Sequence, residues 1–310
     1  MKVCLWTATD WAFGRIANAI KQYSRHDITI IEWSHKKYDW DKFDLIYVTV
    51  WYVNLQFHQM FKTKTPTCHS VHGVAELFNI DPGRISQRSI TESQVEKCLI
   101  SDEVRTVLNK QKTVGCVSRE IINLLRSQVS CKLVYTPYGV GDEFFQPVQE
   151  MPLTVLCPLA PHQFENKIHG YEIKRGSLAK EIQTRLPDIE FKFIPRRLSN
   201  AEMPEWYRGG NVLLNVSHAE GGPLGILEAG AGGVVPLSTV VGHVPELVIP
   251  GFNGELLSGN IVGEAVRILS EWKNTPGNLT RMQENIQTTM VSRRWMNVVK
   301  YWDDFFDRCL

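Results

Sequence analysis

Short apolar runs alternate with amphipathic segments throughout the first half of the chain. Apolar residues at helical spacing predict helices at residues 13–23 and 119–127. The runs that predict buried strands cover residues 3–6, 28–33, 45–51, 67–71, 114–118 and 133–136. Strands separated by helices are typical of βαβ units, so this half is expected to form a parallel sheet. The polar stretch 74–112 is only partly periodic, and we expect helices and a mobile loop there.

The same alternation restarts after a short polar segment. Residues 146–152 carry two prolines among glutamine and glutamate residues, which is typical of a linker. The second half contains predicted strands at 153–159, 189–194, 212–216 and 234–237 and predicted helices at 176–186, 203–208 and 224–231. The tail, residues 291–310, has aromatic residues at helical spacing that need a covering surface. We therefore predict a first domain over 1–147, a second over 148–290 and a terminal helix over 291–310.

Composition narrows the class of protein. The 310 residues are enough for two α/β domains, and 43% apolar and 22% charged residues are typical of a soluble globular protein. The formal net charge of +1 gives no support for nucleic acid or an anionic membrane as a partner. No stretch approaches about 18 uninterrupted apolar residues, and the first residues lack the features of a signal peptide. The seven cysteines are scattered without a CxxC pair, so we expect a cytoplasmic protein with reduced thiols.

The candidate chemistry lies in residues 211–237. A buried strand is predicted to end at Ser217, and a loop follows in which Gly221 and Gly222 permit positive φ and close backbone approach. Pro223 suits the start of the next helix. Such a helix begins at the carboxyl end of a parallel strand, where its free N–H groups and positive dipole end form an anion site. A diphosphate is the natural ligand for it.

Two carboxylates, those of Glu220 and Glu228, flank this predicted anion site. Acids beside phosphate are unfavourable unless they accept hydrogen bonds from hydroxyl groups, which a sugar and a ribose would offer. The alternative is structural, with Glu220 capping the helix and Glu228 solvated on its surface. Glu228 lies in a run that is otherwise apolar or glycine, which favours the functional interpretation. His218 and His243 bracket the run and are further candidates.

The run Glu220-Gly-Gly-Pro-Leu-Gly-Ile-Leu-Glu228 resembles the Glu-x7-Glu motif of glycosyltransferase family 4, a family of retaining enzymes with the GT-B fold. Residues 241–248 and 251–257 look like the segments that follow that motif. The resemblance implies an α/β protein of two Rossmann-like domains whose parallel sheets face each other across a cleft. It also implies a retaining glycosyltransferase that uses a nucleotide-sugar.

Two further segments resemble the same family. Residues 295–306 look like the GT-B C-terminal helix that crosses back onto the first domain. Residues 138–145 are similar to the family's inter-domain stretch, with Tyr138 in place of an asparagine. The resemblance is therefore specific over the motif and its surroundings and architectural elsewhere.

The resemblance implies roles for the residues of the motif. Glu220 would meet the donor sugar, and Glu228 would bind the ribose of the nucleotide. The backbone that follows the first glutamate would lie against the sugar and the phosphates. The residues of that backbone are Gly221, Gly222, Pro223 and Leu224.

The family also places an arginine and a lysine on the diphosphate. Lys174 precedes a predicted helix and resembles the lysine of that pair, although a solvated helix start is the alternative. The first strand of the second domain ends in Cys157-Pro-Leu-Ala-Pro161, without the expected arginine. Lys167 or Arg175 is expected to replace it.

The first domain supplies further candidates. His72 follows the fourth predicted strand, where family members place a histidine near the reacting sugar, so the resemblance implies a catalytic role. Its neighbour His69 is expected to be buried. Asp10 and Trp11 follow the first strand, on the side that faces the acceptor in this architecture, although Asp10 is also suited to cap the next helix.

No nucleophile other than Glu220 lies near the motif, so we expect front-face substitution in which the departing phosphate takes the acceptor proton. Lys174 and the helix N-terminus at residues 222–224 would stabilise the leaving diphosphate. GT-B enzymes normally need no divalent metal, and Asp39-Trp-Asp41 is interpreted as a surface turn. No zinc spacing occurs, so no metal and no cofactor is expected beyond the nucleotide-sugar donor.

The expected partners are a nucleotide-sugar and a glycan, lipid, protein or small-molecule acceptor, with nucleic acid expected only as an acceptor. The lack of GxxxxGK[ST] and GxGxxG motifs argues against a kinase or a dehydrogenase. Two alternatives stay open. One is a GT-B sugar phosphorylase or epimerase-like enzyme. The other is a non-catalytic two-lobed protein that binds a nucleotide or a sugar, which the missing arginine favours.

Overall fold

The structure is a computed structural model, and it describes residues 1–9, 11–35, 38–49, 57, 60–74, 77, 99–159, 167–168, 171–196 and 198–310. Of residues 11, 167–168 and 171–172 only the backbone is described. The chain divides into two compact units. Unit 1 comprises Met1–Gly139 and Trp295–Leu310, and unit 2 comprises Val140–Arg294.

Unit 1 is built on parallel strands. These are β1 (Lys2–Thr7), β2 (Asp27–Glu32), β3 (Leu45–Val48), β4 (Thr67–Cys68), β5 (Ser70–Val71), β6 (Thr113–Cys116) and β7 (Lys132–Tyr135). They form a four-stranded sheet of order β2-β1-β3-β4 and a three-stranded sheet of order β5-β6-β7. His69 alone separates β4 from β5, and its carbonyl accepts a hydrogen bond from the Gly115 amide (3.1 Å). The strand predicted over 67–71 is therefore present as two short pieces.

Helices connect these strands. They are α1 (Trp11–Tyr23), α2 (Asp102–Asn109) and α3 (Arg119–Leu125). Two of them begin at serine caps: Ser101 accepts from the Val104 amide, and Ser118 from the Ile121 amide. A short 3-10 helix, Trp40–Lys42, precedes β3. Of the stretch 74–112, in which we predicted helices and a loop, residues 78–98 lie outside the described part of the chain.

Unit 2 repeats the arrangement with one larger sheet. Its strands are β8 (Thr154–Cys157), β9 (Lys167–Ile168), β10 (Tyr171–Glu172), β11 (Glu190–Phe193), β12 (Val212–Asn215), β13 (Val235–Thr239) and β14 (Glu255–Leu257). Its helices are α4 (Gly176–Arg185), α5 (Met203–Tyr207), α6 (Leu224–Ala231), α7 (Ile261–Asn274) and α8 (Pro276–Val291). The 3-10 helices Asp142–Phe144 and Val244–Glu246 lie between them.

The sheet of unit 2 has the order β11-β8-β12-β13-β14, and every neighbouring pair is parallel. β9 and β10 form a separate antiparallel pair. The strands β8, β12 and β13 are buried along their whole length because helices cover both faces of such a sheet. Parallel sheets with interspersed helices in both units confirm the predicted α/β class.

The division between the units falls at Gly139 and Val140, ahead of the polar segment 146–152. The residues just after the division pack on unit 2. The Phe144 ring lies edge-on to Tyr207 with 6.1 Å between centroids, and Gln287 Nε2 donates to the Gln146 carbonyl (2.6 Å). These contacts explain why the polar segment 146–152 belongs to unit 2 and does not separate the two units.

The helix α9 (Trp295–Cys309) belongs to unit 1. Its buried face contains Trp295, Val298, Val299, Trp302, Asp303, Phe305 and Phe306. The Trp302 indole N–H donates to the Pro137 carbonyl (2.8 Å), and its ring lies 5.7 Å from that of Tyr47. The predicted tail over 291–310 is thus two elements, since α8 continues to Val291 and a new helix begins at Trp295.

The described helices include none with the length and apolar character that crossing a bilayer requires. Cys4, Cys116 and Cys157 lie in strands and are buried, and burial raises the pKa of the Cys4 and Cys157 thiols to about 12. Such thiols stay protonated and act as small apolar side chains. Cys98 lies outside the described residues.

We predict that Trp302→Ala destabilises unit 1 by about 3–5 kcal/mol, because it leaves a cavity and an unpaired carbonyl in the core. Chemical denaturation followed by circular dichroism measures the loss. The matched control is Met296→Ala, which removes a 58% exposed side chain of the same helix and should change stability by less than about 0.5 kcal/mol. Equal stability of the two variants would contradict the assignment of this helix to the core.

Candidate functional site

A buried hydrogen-bond network fixes the carboxyl ends of β12 and β13. The Asn215 amide donates to Ser238 Oγ (2.9 Å) and accepts from Ser217 Oγ (2.8 Å). The Thr239 hydroxyl donates to the Ser217 carbonyl (2.7 Å). All four side chains are at most 7% exposed. Satisfied polar groups in a low-dielectric interior rigidify their surroundings, so the loop 217–223 starts from a fixed point.

The glycine-rich part of this loop packs closely against a neighbouring segment. Gly221 and Gly222 permit a positive φ but do not adopt one, whereas Gly242 has a φ of 56°. A Cβ at Gly242 would lie 2.4 Å from the Gly221 carbonyl oxygen. The glycine with the unusual φ is therefore on the neighbouring segment, where it lets that segment approach the loop.

His243 holds the end of the loop. Its side chain is 1% exposed, and its Nε2 lies 3.2 Å from the Pro223 carbonyl. Burial, assisted by the charge of Arg293, lowers the pKa of His243 to about 3. The imidazole is neutral at physiological pH, and since a carbonyl only accepts, its proton must sit on Nε2. His243 therefore positions the residue at which α6 begins.

The helix α6 begins at Leu224, as predicted, with Pro223 in an extended conformation at its N-cap. Neither a side-chain cap nor an acidic residue in the first turn occupies this end. The first-turn N–H groups and the positive end of the helix dipole are therefore available to an anion at the carboxyl edge of the sheet.

Lys174 and Glu220 meet beside this helix end. The Lys174 ammonium donates a hydrogen bond to Glu220 Oε1. The Glu220 side chain is 14% exposed and that of Lys174 is 31% exposed. The structure thus brings the predicted phosphate-binding cation and the predicted sugar-binding carboxylate into one ion pair. Glu220 does not cap α6, so the capping alternative is wrong.

Arg175 adjoins the pair in a strained conformation. It is the N-cap of α4, with φ 47° and ψ 45° in the left-handed region that favours glycine. Its guanidinium donates to His218 Nδ1, whose side chain is exposed. Partial burial and then the Arg175 charge lower the pKa of His218. Two consecutive cations thus precede a helix whose positive end repels them.

Glu228 is buried inside α6. It is 5% exposed, and the Tyr207 hydroxyl donates to its Oε2 (3.1 Å). Phe144 and Trp206 contact the Tyr207 ring edge-on, which holds the hydroxyl in place. The alternative of a solvated helix residue is therefore wrong. An acid buried in a helix of apolar and glycine residues requires hydrogen-bond partners, and Tyr207 is one of them.

In unit 1, His72 lies between two tyrosines. Its Nε2 is 2.8 Å from the Tyr47 hydroxyl, and its Nδ1 is hydrogen-bonded to the Tyr138 hydroxyl. Burial, and then the neighbouring His69, lower the pKa of His72 to about 3. His69 is fully buried, as expected. A neutral His72 whose two ring nitrogens are both engaged is suited to hold its neighbours in place, and a catalytic role for it stays a prediction.

The remaining candidates divide into those that the structure describes and those that it does not. Asp41 accepts hydrogen bonds from Thr63 Oγ1 (2.6 Å) and the Lys64 amide (3.2 Å), and these lower its pKa, so it fastens a turn. Within the described ranges no group of three or more His, Cys, Asp or Glu side chains is placed to hold a metal. Asp10 lies outside the described residues, and so do the side chains of Trp11 and Lys167.

Sequence reasoning missed the side chains that position the candidates. Tyr207 ends the short helix α5, and nothing in its surroundings marks it as a partner of Glu228. Gly242 lies in residues 241–248, which resemble a segment of the family. Its packing against the loop could not be predicted, because that contact depends on tertiary structure. Tyr138 was visible as a departure from the family's asparagine, and that departure was the signal for its contact with His72.

Comparison with known proteins gives a family match over the site. Residues 159–289 match the model of glycosyl transferases group 1. The matched segment contains Lys174, Glu220, Glu228 and His243. The match supports the resemblance to glycosyltransferases.

Among curated proteins, the chain is similar to the D-inositol 3-phosphate glycosyltransferases of Streptomyces coelicolor (31% identity) and Streptomyces scabiei (32% identity). Each match extends over 81 residues, which is 26% of this chain. The matched part spans only 18% of the length of either relative.

Among solved structures, the chain is similar to sucrose-phosphate synthase from Thermosynechococcus elongatus, with a TM-score of 0.70 and 14% identity. That match covers 99% of this chain and 98% of the other. HepE from Anabaena, in complex with UDP and glucose, has a TM-score of 0.67 and 13% identity, and the match covers 99% of both chains. These likenesses confirm the fold, which is GT-B with two Rossmann-like domains.

We predict that His243 makes unit 2 less stable in acid. Its folded pKa of about 3 lies below the unfolded value near 6.5, so its contribution is present above pH 6.5 and is lost as pH falls toward 3. At pH 5 the loss is about 2 kcal/mol. Denaturation at pH 7 and pH 5 should give a smaller difference for His243→Gln than for the wild type. An unchanged difference would show that this histidine is not buried in its neutral form.

Proposed function

We propose that the protein is a retaining glycosyltransferase that moves a sugar from a nucleotide diphosphate sugar to an acceptor hydroxyl. One observation carries the proposal. Lys174 and Glu220 form an ion pair beside the uncapped N-terminus of α6, and Glu228 is buried in that same helix. A cation, a helix end and two carboxylates match the diphosphate, the sugar hydroxyls and the ribose hydroxyls of such a donor.

The diphosphate is assigned to the cations and the helix end. Lys174 and Arg175 lie next to the N-terminus of α4, where the dipole opposes their charge, and Arg175 adds the cost of a left-handed backbone. An anion bound between them offsets the repulsion. Arg175 is therefore proposed as the replacement for the family's arginine, with Lys167 as the other candidate.

The two carboxylates are assigned to hydroxyl groups. Glu228 accepts a hydrogen bond from the Tyr207 hydroxyl and lies one turn into α6, where the ribose is proposed to bind. Glu220 is proposed to exchange its contact with Lys174 for the hydroxyls of the donor sugar. Lys174 then turns to the phosphate, so donor binding replaces one ion pair by two complementary contacts.

The reaction is proposed to proceed on the front face without a divalent metal. The bond from the anomeric carbon to the phosphate oxygen breaks, the acceptor oxygen attacks on the same face, and the departing phosphate takes the acceptor proton. Lys174 and the α6 N–H groups stabilise the charge of the leaving group. NMR of the product's anomeric configuration tests retention, and an inverted product would overturn this mechanism.

The nucleotide is proposed to be uridine diphosphate, since the similar structure of HepE holds UDP and glucose. The acceptor is proposed to be a glycan, lipid, protein or small molecule. His72 is proposed to position the first-unit residues that meet the sugar, and Asp10 and Trp11 to lie toward the acceptor. We also propose that the protein acts in the cytoplasm.

We predict that UDP stabilises the wild type in EDTA. At about 100 times its dissociation constant a ligand adds about 2.7 kcal/mol of stability, which a thermal-shift assay detects. Glu228→Gln should lose most of the shift because an amide N–H replaces one acceptor oxygen. Measurements with GDP, ADP, TDP and CMP test the choice of base. If no nucleotide shifts the wild type, or if the variant responds as fully, the donor site is misassigned.

We also predict that Lys174→Ala lowers kcat by about 10²–10³-fold, because it removes one charge from the leaving diphosphate. The matched control is Arg185→Ala, which removes a half-exposed cation at the far end of α4, in a surface ion pair with Glu181. Steady-state kinetics on both variants separates a local effect from a general loss of charge. Equal rates for the two variants would remove Lys174 from the mechanism.

A further inference from the structure

A pocket of about 470 Å³ lies in unit 2, away from the candidate donor site. Residues that lead into β8, β11 and β12 line it, together with the end of α7 and the first two turns of α8. Asn211 precedes β12 and lines the pocket, whereas the loop 217–223 follows β12. The pocket therefore lies at the amino edge of the sheet, and the donor site lies at the carboxyl edge.

A side-chain amide with no protein partner in the described chain faces this pocket. Gln283, on α8, is 6% exposed and lines the pocket, yet its side chain makes no hydrogen bond to any part of the chain that the structure describes. The side-chain amide of the neighbouring Asn211 is already hydrogen-bonded: it accepts from the Thr154 amide (2.9 Å) and donates to the Met151 carbonyl (3.3 Å). The polar atoms of the Gln283 amide are accessible from the pocket, so they are available to hydrogen-bond a ligand there.

The charges around the pocket exclude an anion as the natural ligand. Its lining contains the carboxylates of Glu150 and Asp188 and one cation, Lys273. Lys273 lies 3.8 Å from Asp188, so it is already partly neutralised. The remaining charge is negative, which opposes a phosphate or a nucleotide even though the α8 N-terminus is near.

Because the lining is partly apolar, it favours a ligand that has both apolar and polar surface. Trp272, Met151 and Leu279 contribute an indole ring and aliphatic groups. A pyranose presents C–H faces that pack on such groups, and hydroxyls that both donate and accept, as a glutamine amide does. The volume lies within the range of about 300–1,000 Å³ that is typical of small-molecule sites. We propose that this pocket is a second binding site for a neutral saccharide of one or two rings.

The experiment measures saccharide binding to the wild type and three variants by saturation-transfer NMR and calorimetry. The probes are glucose, galactose, N-acetylglucosamine and maltose. At least one should bind the wild type and Glu220→Gln with equal affinity, since Glu220 is the residue assigned to the donor sugar. Gln283→Leu should weaken that binding by about tenfold or more, because the leucine cannot hydrogen-bond the hydroxyls. Thr280→Trp, which fills the pocket from an exposed position of α8, should weaken it as well.

A second readout separates loss of the site from loss of the fold. Without ligand, the Tm of Gln283→Leu should stay close to that of the wild type, since leucine is of similar size and the amide makes no hydrogen bond to the described chain. Three results would overturn the proposal. They are the absence of binding by all four sugars, binding that Glu220→Gln abolishes and Gln283→Leu keeps, and binding of UDP or inorganic phosphate that depends on Gln283.

Discussion

The hydrogen bond from the Tyr207 hydroxyl to the buried Glu228 carboxylate is the contact on which the rest of the candidate site depends. A carboxylate at this depth is tolerated only where its oxygens have partners, so it ties the position of α6 to that of α5. The N-terminus of α6 is thereby set against the sheet. The His243 contact with Pro223 and the network around Asn215 then fix the loop that carries Glu220.

The buried histidines act as neutral hydrogen-bonding groups in both units. His72 lies between two tyrosine hydroxyls, and His243 is hydrogen-bonded to a carbonyl; burial keeps the pKa of each near 3. Neither is suited to exchange a proton near neutral pH in this state. The charged groups of the site are instead Lys174, Glu220 and Arg175, at the partly exposed surface of unit 2. The buried histidines therefore hold their neighbours in place, and other, partly exposed residues supply the charges of the site.

Local pattern was enough to predict the elements that carry the candidate site. The helix 224–231 has the predicted bounds, and β12 lies within the strand predicted over 212–216, because burial on both faces leaves a continuous apolar signal. The pairing of Lys174 with Glu220 and the role of Tyr207 were not predictable, since they join residues far apart in sequence.

Glycine illustrates the same limit. The sequence shows that Gly221 and Gly222 permit a positive φ, but the packing of the folded chain gives that conformation to Gly242 instead. A permissive residue shows where an unusual backbone is allowed, and only the tertiary contacts show where it is needed. We predicted no secondary structure for the segments that form β14, α7 and α8.

The division of the chain has a consequence for the order in which the protein is made. Unit 1 is discontinuous, since its last helix follows the whole of unit 2. The Val140 amide donates to the Arg293 carbonyl (2.9 Å), so the two ends of unit 2 are adjacent, as in a domain inserted into another. During synthesis unit 2 is complete before Trp302 and Phe306 emerge from the ribosome, while the surface that they cover in unit 1 is still exposed. Unit 1 therefore cannot complete its core until residues 295–306 have emerged, although most of its sequence is made first.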